Sequence, residues 1–249
     1  MSLDPLPDRL SKFADAMMSR PETEATASAL IGSMQQYRAS WLKNRTMKLV
    51  RIPLPLPRNK ALHPVHMEIE NCQFSMEFDC NSNEEIVRSD FQLKVTGYLD
   101  SGPGEFIELE DHWRVDTDEN HVNKMKGKEA KESWEAHPQF HFQRGGHAQV
   151  EFARSQNFVP SKMTPLGSGS WRALMQTSSP RIPSLPFDPV LAIDFCIAQH
   201  DGRTWQASRR KPEYRVPVEH SQREIWHPFL MGLQEKDGRK QWLGPLATF

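Results

Sequence analysis

The sequence predicts an α+β fold, in which an antiparallel β-sheet carries helices on one face. Two observations support this class. Apolar residues recur at helical spacing near both ends of the chain, whereas the middle alternates apolar and polar residues as half-buried strands do. We expect one domain over residues 1–249, comprising a helical segment at 1–47, a sheet region at 48–155, and a long connection with helices at 156–249.

Two helices are expected at the start of the chain. One apolar series at helical spacing precedes Pro21 and a second follows it: Leu6, Leu10, Phe13 and Met17, then Leu30, Met34, Tyr37 and Trp41. The second helix should end near residues 43–45. Prolines at alternate positions of residues 50–57 cannot donate to a β-ladder, so this stretch suits a connector or an edge strand.

Half-buried antiparallel strands are expected between residues 67 and 115. Apolar residues alternate with polar ones from Cys72 to Cys80, while Met67 and Ile69 lie in the opposite phase, which predicts a β-bulge near Asn71. The same alternation recurs over residues 90–99 and 107–115. The charged run at 116–132 has little periodicity and is expected to form a solvated loop.

Residues 137–147, with the sequence HPQFHFQRGGH, contain three of the ten histidines. Alternating stretches flank the two glycines, which predicts a β-hairpin. A two-residue loop would place the aromatic residues of one strand on the face opposite the apolar residues of its partner. A three-residue loop at 144–146, with glycine in the left-handed position, instead pairs Gln143 with His147 and His141 with Gln149.

This register makes His141 and His147 diagonal neighbours, roughly 7 to 8 Å apart at the backbone, within reach of one ion or small anion. His137 lies about 13 Å from His141 along the strand, too far to share a metal with it. If the sheet keeps a single apolar face, Glu108 and His112 join the histidines on the polar face. The predicted catalytic residues are therefore His141, His147, Glu108 and His112, and the predicted substrate- or anion-binding residues are Arg144, Arg181, Gln143 and Gln149. A polar solvent face without chemistry is the alternative.

Two helices are expected to close the chain. Asp188 and Pro189 suit the N-cap and first helical positions before an apolar run, and Ser221 to Glu224 reads as a capping box before a helix that Pro228 would kink. Asp194 interrupts the apolar run, so we expect it to bind an arginine or a backbone donor rather than to act in catalysis. Residues 155–185 are expected to form a long connection.

Charge is distributed unevenly along the chain. Between Glu24 and Glu68 there are no acidic residues, but there are seven basic ones: Arg38, Lys43, Arg45, Lys48, Arg51, Arg58 and Lys60. From residue 68 to 119 the balance is strongly acidic. The basic segment at 38–60, and a second one at 209–215, could contact nucleic-acid phosphates or an acidic protein; a solvated surface is the alternative.

Several classes of protein are not expected. The three cysteines lack paired spacing, which argues against a disulfide framework or a thiolate zinc site, and the usual nucleotide-binding and hydrolase motifs are absent. No apolar run reaches the roughly 18 residues of a membrane span, and the first residues do not resemble a signal peptide. We therefore expect a cytosolic protein without membrane association, with a divalent metal as the one cofactor to consider.

Two segments carry a resemblance to other proteins. HPQFHFQRGG at 137–146 and PRIPSLPFDPVLAIDF at 180–195 resemble an uncharacterised bacterial group with HPxxHxxxGG and PRxPxxPxDPVLAIDF segments. The resemblance covers residues 65 to 235. It implies a bacterial cytosolic protein, loosely associated with mobile or defence-related gene neighbourhoods, and brings no known activity or catalytic residues.

Two functions follow from these patterns. The favoured one is a non-enzymatic component of a larger assembly, which binds a protein or nucleic-acid partner through its polar sheet face and basic helix. The alternative is a nuclease-like phosphoester hydrolase, in which His141 and His147 act as acid and base or as metal ligands. In that case Glu108 and His112 would assist, and Arg144 would hold the anion.

Overall fold

A computed structural model describes residues 5–58, 67–82, 86–102, 105–118, 140–145, 154, 170–177 and 188–234. These residues form five helices: α1 (Leu6–Met18), α2 (Pro21–Asn44), α3 (Pro189–His200), α4 (Gly202–Arg209) and α5 (Pro212–Gln234). They also form six strands: β1 (Thr46–Pro53), β2 (Glu68–Cys80), β3 (Ile86–Gly102), β4 (Glu105–Asp118), β5 (Phe140–Arg144) and β6 (Ser170–Leu174). The predicted α+β class is confirmed. None of the helices in these ranges combines the length and apolar character needed to cross a membrane.

The six strands belong to one sheet, in which β1, β2, β3 and β4 are neighbours in that order and all antiparallel. The far edge of β4 is shared by two short strands. β5 pairs antiparallel with residues 113–117, and β6 pairs parallel with residues 106–110. Asp111 and His112 therefore lie where β4 changes its partner.

The predicted alternation in the central strands is confirmed. Apolar side chains of β2, β3 and β4 are buried on the face that the helices cover, in a core that strands and helices share. The register shifts between Ile69 and Asn71, which confirms the predicted bulge. At this bulge Gly97 lies so close to β2 that a Cβ atom on it would meet the carbonyl oxygen of Glu68.

The N-terminal helices agree with the sequence, because α1 ends before Pro21 and α2 begins at it. α3 also begins as predicted: the Asp188 carboxylate accepts a hydrogen bond from the Leu191 N–H at 2.7 Å. Asp194 binds the Arg209 guanidinium at 2.9 Å, which confirms the expected arginine partner, and it also accepts from Trp205 and Tyr214. Burial raises the pKa of Asp194, while Arg209 opposes that shift.

Three expectations about the C-terminal half were wrong. Three helices, not two, lie between residues 188 and 234, since α4 was not anticipated. α5 begins at Pro212 rather than after Ser221, and Ser221 is buried within the helix instead of capping it. The connection at 155–185 contains β6, which gains its pairing from the free edge of β4 rather than from its own pattern.

Substitution of two glycines by alanine tests the close approach of β2 and β3 at the bulge. Gly97→Ala should lower the free energy of unfolding by about 1 to 3 kcal/mol, because its Cβ has no room beside the Glu68 carbonyl. The matched control is Gly32→Ala in α2, where nothing lies within 4 Å of the added Cβ. That change should stabilise by about 0.5 to 1 kcal/mol through higher helix propensity. Urea unfolding of both variants measures the difference, and equal effects would contradict this description of the bulge.

Candidate functional site

Asp111 is the centre of the junction where β5 and β6 meet β4. Its side chain is fully buried, with an exposed fraction of 0%. Arg144, the last residue of β5, donates from Nε to Oδ1 at 3.1 Å and from Nη2 to Oδ2 at 2.6 Å, which is a bidentate ion pair. From the segment after β6, Thr177 donates its N–H to Oδ2 at 2.9 Å and its hydroxyl to the same oxygen. The Asp111 carboxylate of β4 thus binds both β5 and the segment after β6.

Backbone contacts complete the junction. The Gly145 N–H donates to the His112 carbonyl at 2.7 Å, and the His112 Nδ1 lies 2.6 Å from the Gly145 carbonyl oxygen. The Met175 N–H donates to the Glu110 carbonyl at 3.0 Å. Gly145 has φ of 88°, the left-handed conformation that the predicted hairpin loop requires of a glycine. His112 is therefore held by the turn that follows β5.

His200 packs behind this junction. Its ring stacks on Trp113 with centroids 4.8 Å apart and an interplanar angle of 26°, and its exposed fraction is 4%. The Nε2 atom has no hydrogen-bond partner among the residues that the structure describes. Burial lowers the pKa of His200 to about 4, although the nearby Asp111 charge acts in the opposite direction. The imidazole is therefore neutral near pH 7.

The described residues of the predicted catalytic set lie at separate positions along β4. Glu108 makes an exposed ion pair with Arg172 at 3.1 Å. His112 follows about 13 Å further along the strand, and Asp116, which pairs with His141, about 13 Å beyond that. The strand register therefore does not bring Glu108, His112 and His141 together.

Of the predicted binding residues, the structure describes Gln143 and Arg144, which are adjacent on β5. Arg144 is committed to Asp111, and Gln143 pairs in the backbone register with Arg114. His147, Gln149 and Arg181 lie outside the described residues, as does most of the charged run at 116–132. Within the described ranges, no group of three His, Cys, Asp or Glu side chains is arranged to hold a metal ion.

The polar face of the sheet neutralises much of its own charge through cross-strand ion pairs. Glu77 lies between Lys48, at 2.8 Å, and Arg88, at 3.0 Å. Further pairs cross the other strands: Arg88 with Asp79, Arg114 with Asp90, Lys94 with Glu110, and Arg172 with Glu108. These pairs neutralise the charges of the side chains that they join.

A different surface carries uncompensated positive charge. Arg38 and Lys43 are exposed on the last turns of α2, and Arg51 is exposed on the edge strand β1. None of the three makes an ion pair with any described residue, whereas Lys48 and Arg58 of the same basic segment bind Glu77 and Asp201. Leu42 and Val50, with exposed fractions of 69% and 51%, lie in the same two elements. We call these five residues the cationic patch.

The backbone holds Arg51 in place. Arg51 has φ of 52°, an unfavourable conformation for a residue with a Cβ, at the bulge between Leu49 and Ile52. Its N–H donates to the Ser75 hydroxyl at 3.0 Å, so the strained turn is fixed to β2. Strain of this kind persists only where the surrounding structure enforces it. The bulge also interrupts the edge strand, which protects it from pairing with another strand.

The chain matches no protein-family model, no curated protein and no solved structure.

Sequence reasoning missed Asp111, Thr177 and His200. A signal for Asp111 was present, because it occupies the same phase of β4 as Leu109 and Trp113 and must therefore face the core. A carboxylate in that phase requires a cationic partner. Thr177 and His200 had no comparable signal, since their roles depend on contacts between segments distant in sequence.

Asp111→Asn should lower the free energy of unfolding by about 3 kcal/mol, because it leaves the Arg144 guanidinium without its counter-charge in the core. Arg144→Met should cost a similar amount, and the double variant should cost less than the sum, since both changes remove one interaction. Glu108→Gln is the matched control; it breaks an exposed pair and should cost under about 1 kcal/mol. Denaturant unfolding measures all four, and additive effects would contradict the coupling.

His200 predicts a pH dependence of stability. In the unfolded chain the imidazole takes up a proton near pH 6.5, but in the folded protein it does so only near pH 4. The folded state therefore loses stability as pH falls through this window, by about 3 kcal/mol. His200→Phe keeps an aromatic ring that cannot titrate. Between pH 7 and 4 its free energy of unfolding should therefore fall by about 3 kcal/mol less than that of the wild type. Parallel stability profiles from pH 7 to 4 would disprove a buried neutral His200.

Proposed function

We propose that the protein is a non-enzymatic component of a larger assembly and docks another protein through the cationic patch. One observation carries this proposal. The exposed cations Arg38, Lys43 and Arg51 make no ion pair with any described residue, and they accompany the exposed apolar side chains of Leu42 and Val50. Lys48 and Arg58, in the same basic segment, are by contrast paired with Glu77 and Asp201.

The composition of the patch favours a protein partner over nucleic acid. Protein interfaces combine apolar side chains at the centre with arginine, and their polar rim supplies charge complementarity. Nucleic-acid binding instead relies on many phosphate contacts, and three cations would support only weak binding. The apolar side chains of Leu42 and Val50 cannot form hydrogen bonds with a phosphate. The partner should therefore present carboxylates around an apolar surface.

The polar sheet face is a weaker candidate for the contact surface. Its charges are engaged in cross-strand pairs such as Lys48 with Glu77 and Arg114 with Asp90, so a partner would have to displace existing interactions. Exposed pairs of this kind contribute little energy of their own. The cationic patch offers charges that no such pair neutralises.

We further propose that this component acts in the cytosol of a bacterium, in an accessory role associated with defence or with mobile elements. The three cysteines are buried thiols, which suits a reducing compartment. The bacterial origin and the defence association rest on the resemblance of the 137–146 and 180–195 segments. The hydrolase alternative stays a prediction, since no observation on the described residues favours it.

Capture from the organism that encodes the protein tests the proposal. Tagged wild-type chain should recover a protein partner, and Arg38→Glu/Lys43→Glu should recover at least about tenfold less, because like charges then face each other across the interface. Nuclease treatment should leave the complex intact.

The matched control for this capture is Arg203→Glu/Arg223→Glu. It makes the same change in net charge at exposed arginines of α4 and α5. This control should recover as much partner as the wild type. Undiminished capture by the patch variant would contradict the proposal, and release by nuclease would identify the partner as nucleic acid.

A further inference from the structure

A second exposed surface lies around Tyr98, on the polar face of the sheet. The Tyr98 hydroxyl donates to Glu68 Oε2 at 2.5 Å. Glu68 and Tyr98 are paired in the strand register, and Glu70 and Asp100 lie two residues away from them on β2 and β3. The hydrogen bond and the charges of these carboxylates raise the pKa of Tyr98. Phe106 is the cross-strand neighbour of Asp100 and has an exposed fraction of 48%. We call these five residues the acidic patch.

The acidic patch and the C-terminal turn of α2 lie at opposite ends of β2. The Arg45 carbonyl, just beyond α2, accepts a hydrogen bond from the N–H of Cys80, the last residue of β2. Glu68 is the first residue of that strand, about 40 Å away along its length. Arg51, whose N–H donates to Ser75 in the middle of β2, lies about 23 Å from Glu68 along the same strand, so the two patches do not contact each other within one molecule.

The two patches complement each other in both charge and apolar content. One places Arg38, Lys43 and Arg51 with exposed aliphatic side chains, and the other places three carboxylates with an exposed phenylalanine. Opposite potentials around apolar contacts are the arrangement that steers and orients protein association. The net charge of the whole chain is only −1, so two copies do not repel each other strongly.

We propose that a second copy of this chain binds the cationic patch through its own acidic patch, head to tail. This inference rests on the proposed function, because it names the partner of the same surface. A contact between two different patches leaves one patch of each kind unoccupied at the ends. Further copies can therefore add, and the product is an open chain or a closed ring rather than a two-fold dimer.

Sedimentation velocity of the full chain over a range of protein concentrations tests this inference. At about 0.05 M salt the mean mass should rise with concentration, and at about 0.5 M salt it should fall back toward that of a monomer, because salt screens exposed charges. Arg38→Ala/Leu42→Ala/Lys43→Ala removes one patch, and Glu68→Ala/Glu70→Ala/Phe106→Ala removes the other. All six side chains are exposed, so both variants should keep the wild-type thermal midpoint.

Each of these variants alone should associate at least about tenfold more weakly than the wild type. An equimolar mixture should form a 1:1 dimer that does not grow, since each variant retains one of the two patches. The control Asp15→Ala/Glu213→Ala neutralises exposed carboxylates elsewhere and should associate like the wild type.

Three results would overturn the inference: a wild type that stays monomeric at every concentration, variants that associate as well as the wild type, or a mixture that stays monomeric. None of these affects capture of a different protein by Arg38 and Lys43, which the charge-reversal experiment measures separately.

Discussion

The Asp111 carboxylate is the interaction on which the second half of the sheet depends. β4 exchanges one edge partner for another at Asp111 and His112, and a change of partner leaves backbone and side-chain groups of three segments to be satisfied at one point. A single buried carboxylate meets that requirement, because it binds Arg144 from β5 and Thr177 from the segment after β6. Its own burial would cost several kcal/mol without the guanidinium. The sharing of one edge of β4 by β5 and β6 therefore depends on the ion pair between Asp111 and Arg144.

This constraint also decides what the histidine hairpin can do. Arg144 carries the one cationic side chain of the described hairpin residues, and it is bound to the buried carboxylate of Asp111. His112 faces the other side of the sheet, where the turn at Gly145 holds it. Of the described residues in this region, Arg144 and His112 are thus engaged in contacts between strands. Arg38 and Lys43 of α2 and Arg51 of β1, by contrast, make no ion pair with any described residue.

Much of the fold could be predicted because it follows from patterns among residues that are close together in the sequence. The alternation from Cys72 to Cys80, the phase change before Asn71, and the Asp188–Pro189 cap each depend on neighbouring residues only, and all three are confirmed. β6 could not be predicted, because its pairing comes from the free edge of a strand some sixty residues earlier in the chain. Ser221 shows the same limit: its local pattern is that of a cap, but the helix that contains it already begins at Pro212.

The cationic patch could be predicted only in part, because it too depends on contacts between segments that are distant in the sequence. The basic segment at 38–60 is visible in the sequence, but the structure decides which of its cations are neutralised. Lys48 and Arg58 find carboxylates from distant segments, whereas Arg38, Lys43 and Arg51 do not among the described residues. Composition alone cannot make that distinction.

Amide hydrogen exchange of the full chain, free and in the complex recovered from its host, tests the central claim most directly. If the cationic patch is the contact surface, residues 36–51 should gain protection in the complex while residues 140–145 exchange as they do in the free protein. Protection confined to residues 140–145, with residues 36–51 unchanged, would contradict the account and return the function to the histidine hairpin.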